Sequence, residues 1–527
     1  MDSRDGQTGP PLVETGIRAS QKRKICGVRV STSRGFQETP GEAQAEGPCW
    51  ILWALTDLAR AAIGSELSLE RSLEVSEAME RERNLGKRLS SVIETFREIK
   101  EREDPPQGLI LRFQELYGGL SREERVTLFE HLLSGFETSK AEIEEDLKGV
   151  IATKTEDPAK WSKTLASLRR KLESPRMRVF RRFMNVSGGL KFLLDLRADV
   201  LSAQRQSQMD LSPIDEEIAH LFTSWFQQGF LFLQEITQDS PYRQIRFLKE
   251  HDMVHPMASL EEMGDRLGED RRCFSLYHRA MPEEPVVFIE VALTKGIARS
   301  IHDIIEKDRS KTRKKGKPDT AIFYSINNTQ NGLAGLGLGK VLIFQVVEAL
   351  KRDNPEIKTF STLSPIPGFW ERYLRRILSG EDVPFSLKPE KVEDFFSAKA
   401  KKRVLELYKE RTGKETQSLN EALLGILSSP DWIEDGRCEE VLRKPLTEIT
   451  YYYITQEKDA HGKPLNPVAN FHMSNGATVS LQNVNFGANR FRRGLEESCS
   501  MMVNYIYSMT WLQQIGRTMQ SLLPWKV

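Results

Sequence analysis

The sequence predicts an α+β protein, with an all-helical N-terminal domain followed by a mixed α/β domain, and three observations carry that prediction. From Trp50 to about Leu201, apolar and charged residues alternate at the spacing of amphipathic helices, as in Leu120-SREERVTLFEHLLSGF and Trp161-SKTLASLRRKLESP. Beyond Pro213 the texture changes: Pro285-VVFIEVAL and Thr320-AIFYSI are short runs rich in β-branched and aromatic residues, which read as buried strands. Between the two lies the polar stretch Ser202-AQRQSQMDLSP, closed by Pro213, which reads as a linker.

Residues 1–47 are rich in Gly, Pro, Ser, Thr and Glu and read as a disordered extension. Within it Arg18, Lys22, Arg23, Lys24, Arg29 and Arg34 stand among Ser and Thr, a loose match to a transit peptide. The helical domain is assigned to 48–204; in it Ser121 and Glu124 have the spacing of a capping box. The second domain takes 205–527. After the Pro285 strand, Ile297 to Ile305 looks helical. Lys307-DRSKTRKKGK, with seven basic residues in eleven, reads as an exposed loop. Past the Thr320 strand come a Gly-rich turn, a helix from Lys340 to Arg352, and a third strand, Thr359-FSTLS, stopped by Pro365. Residues 386–445 read as mainly helical. The C-terminal part holds Thr447-EITYYYI, a Gly- and Asn-rich stretch and a closing helix.

Composition excludes several classes. Across 527 residues, 76 basic and 75 acidic side chains leave 76 − 75 = +1, without the basic excess of a nucleic-acid coat. A small anionic ligand needs only a local patch and stays possible. The cysteines Cys26, Cys49, Cys273, Cys438 and Cys499 are scattered with no C-x-x-C spacing, which suits a reducing compartment. The most apolar stretch, Cys49 to Gly64, is broken by Asp57 and Arg60, so no membrane span is expected.

Three segments carry candidate chemistry. Asn331-GLAGLGLGK sets Gly332, Gly335, Gly337 and Gly339 between a strand and a helix, where backbone N–H groups can approach phosphate oxygens. A P-loop fails twice, at Ala334 and at Val341, and the spacing is not that of a dinucleotide fingerprint. An acyl-CoA pyrophosphate loop or a ligand-free turn is left. Phe360-STLSPIPGF presents Ser361, Thr362 and Ser364 on a strand end locked by Pro365 and Pro367; serines before prolines also serve simply as turn formers. Asn466-PVANFHMSNGA places His472 among apolar and Asn residues, as a proton donor or as a structural hydrogen-bonder. His251 and His255 stand at i, i+4 without further ligands, so no metal site is assigned.

Together Gly332-LAGLGLG, Phe360-STLSPIPGF and Leu465-NPVANFHMSNGA closely resemble the malonyl-CoA decarboxylase family. Gly189-LKFLLDLRADVL, Val291-ALTKG, Ala321-IFYSI and Arg493-GLEESCSMMVNY extend the likeness over roughly residues 85 to 510. The resemblance implies a helical domain used for assembly, commonly into a homotetramer, and a catalytic domain with the fold of GCN5-related N-acetyltransferases. Gly332 stands where the wider acetyltransferase pattern has Gln or Arg, which speaks against acetyl transfer. By motif, the catalytic serine falls on Ser361 and the histidine on His472. The acyl-CoA loop falls on Asn331, Gly332, Leu333, Ala334, Gly335, Leu336 and Gly337, with Ser364 and Asn470 in support. The implied reaction converts malonyl-CoA to acetyl-CoA and CO₂ without metal or cofactor. It runs through an enolate held by Ser361 and protonated by His472, and controls the malonyl-CoA level in fatty-acid metabolism. Neither nucleic acid nor membrane is an expected partner. Lacking an S-K-L ending, the chain is expected in the cytoplasm, with the mitochondrial matrix second. The alternative from the fold is an acyl-CoA-dependent N-acyltransferase, and a non-catalytic acyl-CoA sensor is a third.

Overall fold

Ser121 starts the helix Arg122–Gly135 as its spacing predicts: its hydroxyl accepts the Glu124 N–H at 3.2 Å, and the Glu124 carboxylate accepts the Ser121 N–H at 2.6 Å. The structure, a computed structural model, describes residues 86–153, 158–207, 209–305 and 317–508, all within one compact unit spanning Arg81–Val527. The expected extension, the basic stretch near Arg18, the loop from Lys307 to Gly316 and the closing helix lie outside the described residues.

The helices Gln107–Gly118, Arg122–Gly135, Pro175–Phe183, Gly189–Gln206 (α1) and Ser212–Trp225 gather around an aromatic core of Phe96, Phe113, Phe180 and Phe183. Aromatic pairs add to the burial of their large side chains. The helices Lys140–Thr153 and Pro158–Leu172 differ: they pack on each other, and Leu168 is the one buried side chain among their described residues.

The second half is built on a seven-stranded sheet. Its strands are β1 (Leu231–Ile236), β2 (Arg271–His278), β3 (Met281–Thr294), β4 (Thr320–Asn328), β5 (Thr359–Thr362), β7 (Ala477–Thr478) and β10 (Ile506–Tyr507), in the order β1-β2-β3-β4-β5-β10-β7. Three short strands, β6 (Ser364–Pro365), β8 (Val484–Asn485) and β9 (Met502–Val503), form a second sheet of order β6-β9-β8. β1 to β4 are antiparallel neighbours, whereas β4 and β5 run parallel, joined through the helix Leu338–Asp353 (α2). The parallel pairing stops at Phe323↔Thr362. β4 continues to Asn328 alongside β3, while the chain after β5 leaves for the second sheet, so a cleft opens between the diverging strands.

The expected strands at Pro285, Thr320 and Thr359 are all present, and Lys340 to Arg352 falls inside α2. Two readings change, and Thr447-EITYYYI gains an element. β1 and β2 are strands that the sequence pattern does not predict. β2 buries Arg271, Ser275 and His278 inside the sheet, so its polar residues break the apolar run that marks a central strand. Thr447-EITYYYI is the C-terminal half of the helix Gly436–Thr455 (α3), which buries Ile449, Tyr453 and Ile454. From Ile297 to Ile305, only His302–Ile305 is helical.

Candidate active site

The segment Thr359-FSTLSP crosses from one sheet to the other, and strand alternation sorts its hydroxyls. Successive side chains of an extended chain take opposite faces, so Thr362 and Ser364 share a side and Ser361 takes the other. Ser364 Oγ donates to Thr362 Oγ1 at 2.9 Å, and Thr362 Oγ1 also accepts the Tyr505 N–H at 3.0 Å. Ser361, fully buried, donates to the Thr362 carbonyl at 3.1 Å and does not line the cleft. The serine that reaches the histidine thus stands three positions after the anticipated one.

His472 sits in the last turn of the helix Pro467–Ser474 (α4), which Pro467 opens and Asn466 caps. Asn466 Oδ1 accepts the Val468 and Ala469 N–H groups, and its Nδ2 donates to the Pro367 carbonyl at 3.3 Å. One asparagine therefore binds the two motifs, SPIPGF and NPVANFH, to each other. His472 Nε2 lies 3.1 Å from Ser364 Oγ, and Nδ1 lies 2.9 Å from the Tyr507 hydroxyl. Tyr505 stacks on the imidazole, with centroids 4.8 Å apart.

The hydrogen-bond directions form a consistent chain. With the Ser364 proton committed to Thr362, Ser364 Oγ accepts from His472 Nε2–H. Nδ1 then accepts from the Tyr507 hydroxyl. Burial pushes the His472 pKa down to about 3, so the ring is neutral at physiological pH with its proton directed at Ser364. Burial also raises the Tyr505 and Tyr507 hydroxyls, which remain protonated donors. Sequence reasoning missed Tyr505 and Tyr507. Their signal was present only in the alternation of Asn504-Tyr-Ile-Tyr, a strand too short to stand out.

Ser364 and His472 line a cleft of about 730 Å³ between β4 and α4. Phe323, Ile326 and Val468 supply apolar wall, and Asn470 and Asn475 supply amides; Asn470 Oδ1 accepts from Ser474 Oγ at 2.9 Å. The Gly-rich turn also lines the cleft, though not with all of the residues expected. Leu333, Gly335, Gly337, Leu338 and Gly339 line the cleft, whereas Asn331, Gly332, Ala334 and Leu336 do not. Gly335 and Gly337 take φ of +80° and +70°, which glycine adopts without strain, and Gly337 starts α2 with no side-chain cap. The first amides of α2 are thus left for a ligand. Gly332 serves close packing instead, since a Cβ there would lie 2.0 Å from the Leu194 carbonyl oxygen of α1. Arg197 of α1, held by Asp215 at 2.7 Å, donates to the Gly332 and Ala334 carbonyls at 2.5 and 2.9 Å. The helical half therefore buttresses the turn from behind, a role no residue-level motif announced. Gly339 lets α4 approach α2, because a Cβ there would meet the Phe471 ring at 2.4 Å. Among the described residues no group of three or more His, Cys, Asp or Glu could hold a metal, and no helix is long and apolar enough to cross a membrane.

The parallel β4–α2–β5 unit, the glycine turn at the start of α2 and the serine–histidine pair in the cleft together form the candidate active site. Comparison with known proteins is specific. The malonyl-CoA decarboxylase C-terminal domain profile matches residues 229–518, and the N-terminal domain profile matches residues 136–226. The mitochondrial malonyl-CoA decarboxylase of Rattus norvegicus is 33% identical over 428 residues, 80% of this chain and 83% of the relative. The crystal structure of malonyl-CoA decarboxylase from Rhodopseudomonas palustris superposes with a TM-score of 0.66 at 28% identity, covering 82% of this chain and 96% of that one. The Agrobacterium vitis structure gives 0.63 at 28% identity over 83% and 96%. The chain belongs to the malonyl-CoA decarboxylase family.

Proposed function

We propose that this chain decarboxylates malonyl-CoA to acetyl-CoA and CO₂, with Ser364 and His472 as the reacting pair. The observation that carries the reading is the 3.1 Å contact between Ser364 Oγ and His472 Nε2 in the wall of the cleft that the glycine turn borders. Malonyl-CoA contains its own electron sink. As the C–C bond to the carboxylate breaks, the electron pair passes to the thioester carbonyl and leaves an enolate, so the chemistry calls for no external electron acceptor. The Ser364 hydroxyl, turned from Thr362 toward the cleft, and the His472 Nε2–H are donors for the developing oxyanion. His472 then delivers its Nε2 proton to the enolate carbon while Nδ1 takes the proton of the Tyr507 hydroxyl, so the ring stays neutral, and solvent restores the proton to Tyr507. The balance is malonyl-CoA plus one proton giving acetyl-CoA plus CO₂. Tyr507 holds the ring in the tautomer that points its proton inward. The apolar wall favours loss of charge from the malonyl carboxylate as neutral CO₂.

The test is to supply malonyl-CoA and follow acetyl-CoA and CO₂ without added metal. Expected is turnover that the Ser364→Ala and His472→Ala variants lose; a wild-type chain that leaves malonyl-CoA intact sinks the reading.

We infer further that a helical domain over 48–204 mediates assembly into a homotetramer. Supporting this are the exposed side chains of Leu147, Ile151 and Leu172 on the helix pair Lys140–Thr153 and Pro158–Leu172, which buries little of itself. For compartment, relatives named as mitochondrial support the mitochondrial alternative over the cytoplasmic expectation.

A further inference from the structure

Among the described residues that line the cleft, Lys463 alone carries a formal charge. It is exposed, whereas His472 at the reacting end is 4% exposed, so the cleft runs from a dry interior to a mouth at which Lys463 stands. A CoA thioester threaded with its acyl end at His472 would bring its phosphates out at this mouth.

The hairpin that bears Lys463 is built to hold still. Lys458 and Pro464 form an antiparallel bridge, and the Asp459 N–H donates to the Lys463 carbonyl at 2.8 Å. Asp459 Oδ1 accepts the His461 and Lys463 N–H groups at 2.8 and 2.9 Å, and Gly462 takes the turn at φ +74°. At the root, the buried Glu457 carboxylate accepts the Tyr373 hydroxyl and the Ser386 and Leu387 N–H groups at 2.9 to 3.0 Å. From Lys463 the chain passes directly through Asn466 into α4 and His472. No hydrogen bond or ion pair within the described residues engages the Lys463 ammonium.

We propose that Lys463 is a substrate-binding residue that grips a phosphate of the CoA moiety at the cleft mouth. The proposal rests on the decarboxylase reading and deepens it. Phosphate binding at Lys463 and acyl positioning at His472 then occur on one continuous, rigid segment, so energy from the remote end of the substrate sets the acyl group against the histidine.

The experiment compares wild type, Lys463→Gln and Lys463→Arg on malonyl-CoA, malonyl-dephospho-CoA and malonyl-pantetheine. A charge-assisted contact at a partly exposed mouth predicts a KM for malonyl-CoA about tenfold higher in K463Q, with kcat within about twofold and most of the affinity kept in K463R. On malonyl-pantetheine, which has neither phosphate group, the ratio of wild-type to K463Q kcat/KM should fall to about one. A defect that persists on the dephospho substrate places Lys463 on the pyrophosphate, and one that vanishes there places it on the 3′-phosphate. An unchanged KM for malonyl-CoA in K463Q, or an equal defect on malonyl-pantetheine, overturns the proposal. A wild-type chain without turnover removes the decarboxylase reading instead. Calorimetry of CoA binding to wild type and K463Q then still decides the lysine.

Discussion

Ser361 and Ser364 differ by three positions in one hydrogen-bonded segment, and their substitution separates two kinds of serine. Ser364→Ala removes the hydroxyl that faces His472 and should lower kcat by about 10²–10³-fold, the usual worth of an oxyanion donor. Ser361→Ala removes a buried bond to the Thr362 carbonyl, so it should cost about 1 kcal/mol of stability and leave kcat nearly unchanged. Parallel steady-state kinetics and thermal melts check both, and a larger kcat loss in S361A would restore the motif-based assignment. His472→Ala should lower kcat by about 10²–10⁴-fold with acyl-CoA affinity nearly intact. For Tyr507→Phe the ring keeps its place beside Tyr505 but loses the donor to Nδ1, so kcat should fall by about tenfold with KM little changed.

At the scale of elements, the site depends on close approach of helices to the glycine turn. Gly332→Ala would drive a methyl group into the Leu194 carbonyl of α1, an overpacking that costs about 1–3 kcal/mol. Because the carbonyls of the same turn are held by Arg197, the variant should show a lowered Tm together with a raised KM for malonyl-CoA. A wild-type KM would uncouple the helical half from the cleft. The exposed helix pair makes a separate prediction. Ile151→Glu, at a side chain 71% exposed, should leave the monomer fold intact and reduce the oligomer measured by light scattering. An unchanged oligomer would move the assembly surface elsewhere.

The whole molecule carries buried ionisable groups whose titration sets its pH stability. On the sheet, Arg266 shares its guanidinium between Asp252 at 2.9 Å and Glu290 at 3.3 Å, so two deeply buried acids face one cation. Burial and the Asp252 charge push Glu290 up to about 8 from an ordinary 4.5. Between those values the folded state keeps a proton that the unfolded chain has released, so this contribution is lost as pH rises to about 8. His255 and His472 are pushed down by burial to about 4 and about 3 from 6.5. Their contribution is full above 6.5 and is lost as pH falls through the acid range. Each proton of difference changes stability by about 1.4 kcal/mol per pH unit. His278 is lowered by burial as well, so the histidines oppose the glutamate below 6.5, while above it stability declines through Glu290; Tm should therefore fall on both sides of near-neutral pH. Glu290→Gln should flatten the alkaline decline in a pH series of melts, and a wild-type decline persisting in the variant would assign it to other groups.

Sequence by itself determined the elements with strong local periods and the motifs with unusual spacing. The capping box at Ser121, the strand at Thr320, the glycine turn and the SPIPGF and NPVANFH segments were all legible, because each is dictated by neighbours a few residues away. His472 could be singled out for the same reason. Which serine meets it was decided only by tertiary structure, since a period of two fixes that Thr362 and Ser364 share a face but not which face borders the cleft. The same holds for β2, whose buried Arg271 and His278 bond the distant Ile304 and Trp225 carbonyls, and for Arg197, which reaches the glycine turn across 135 residues of sequence. Contacts of that kind arise from how finished elements pack, and no local pattern encodes them.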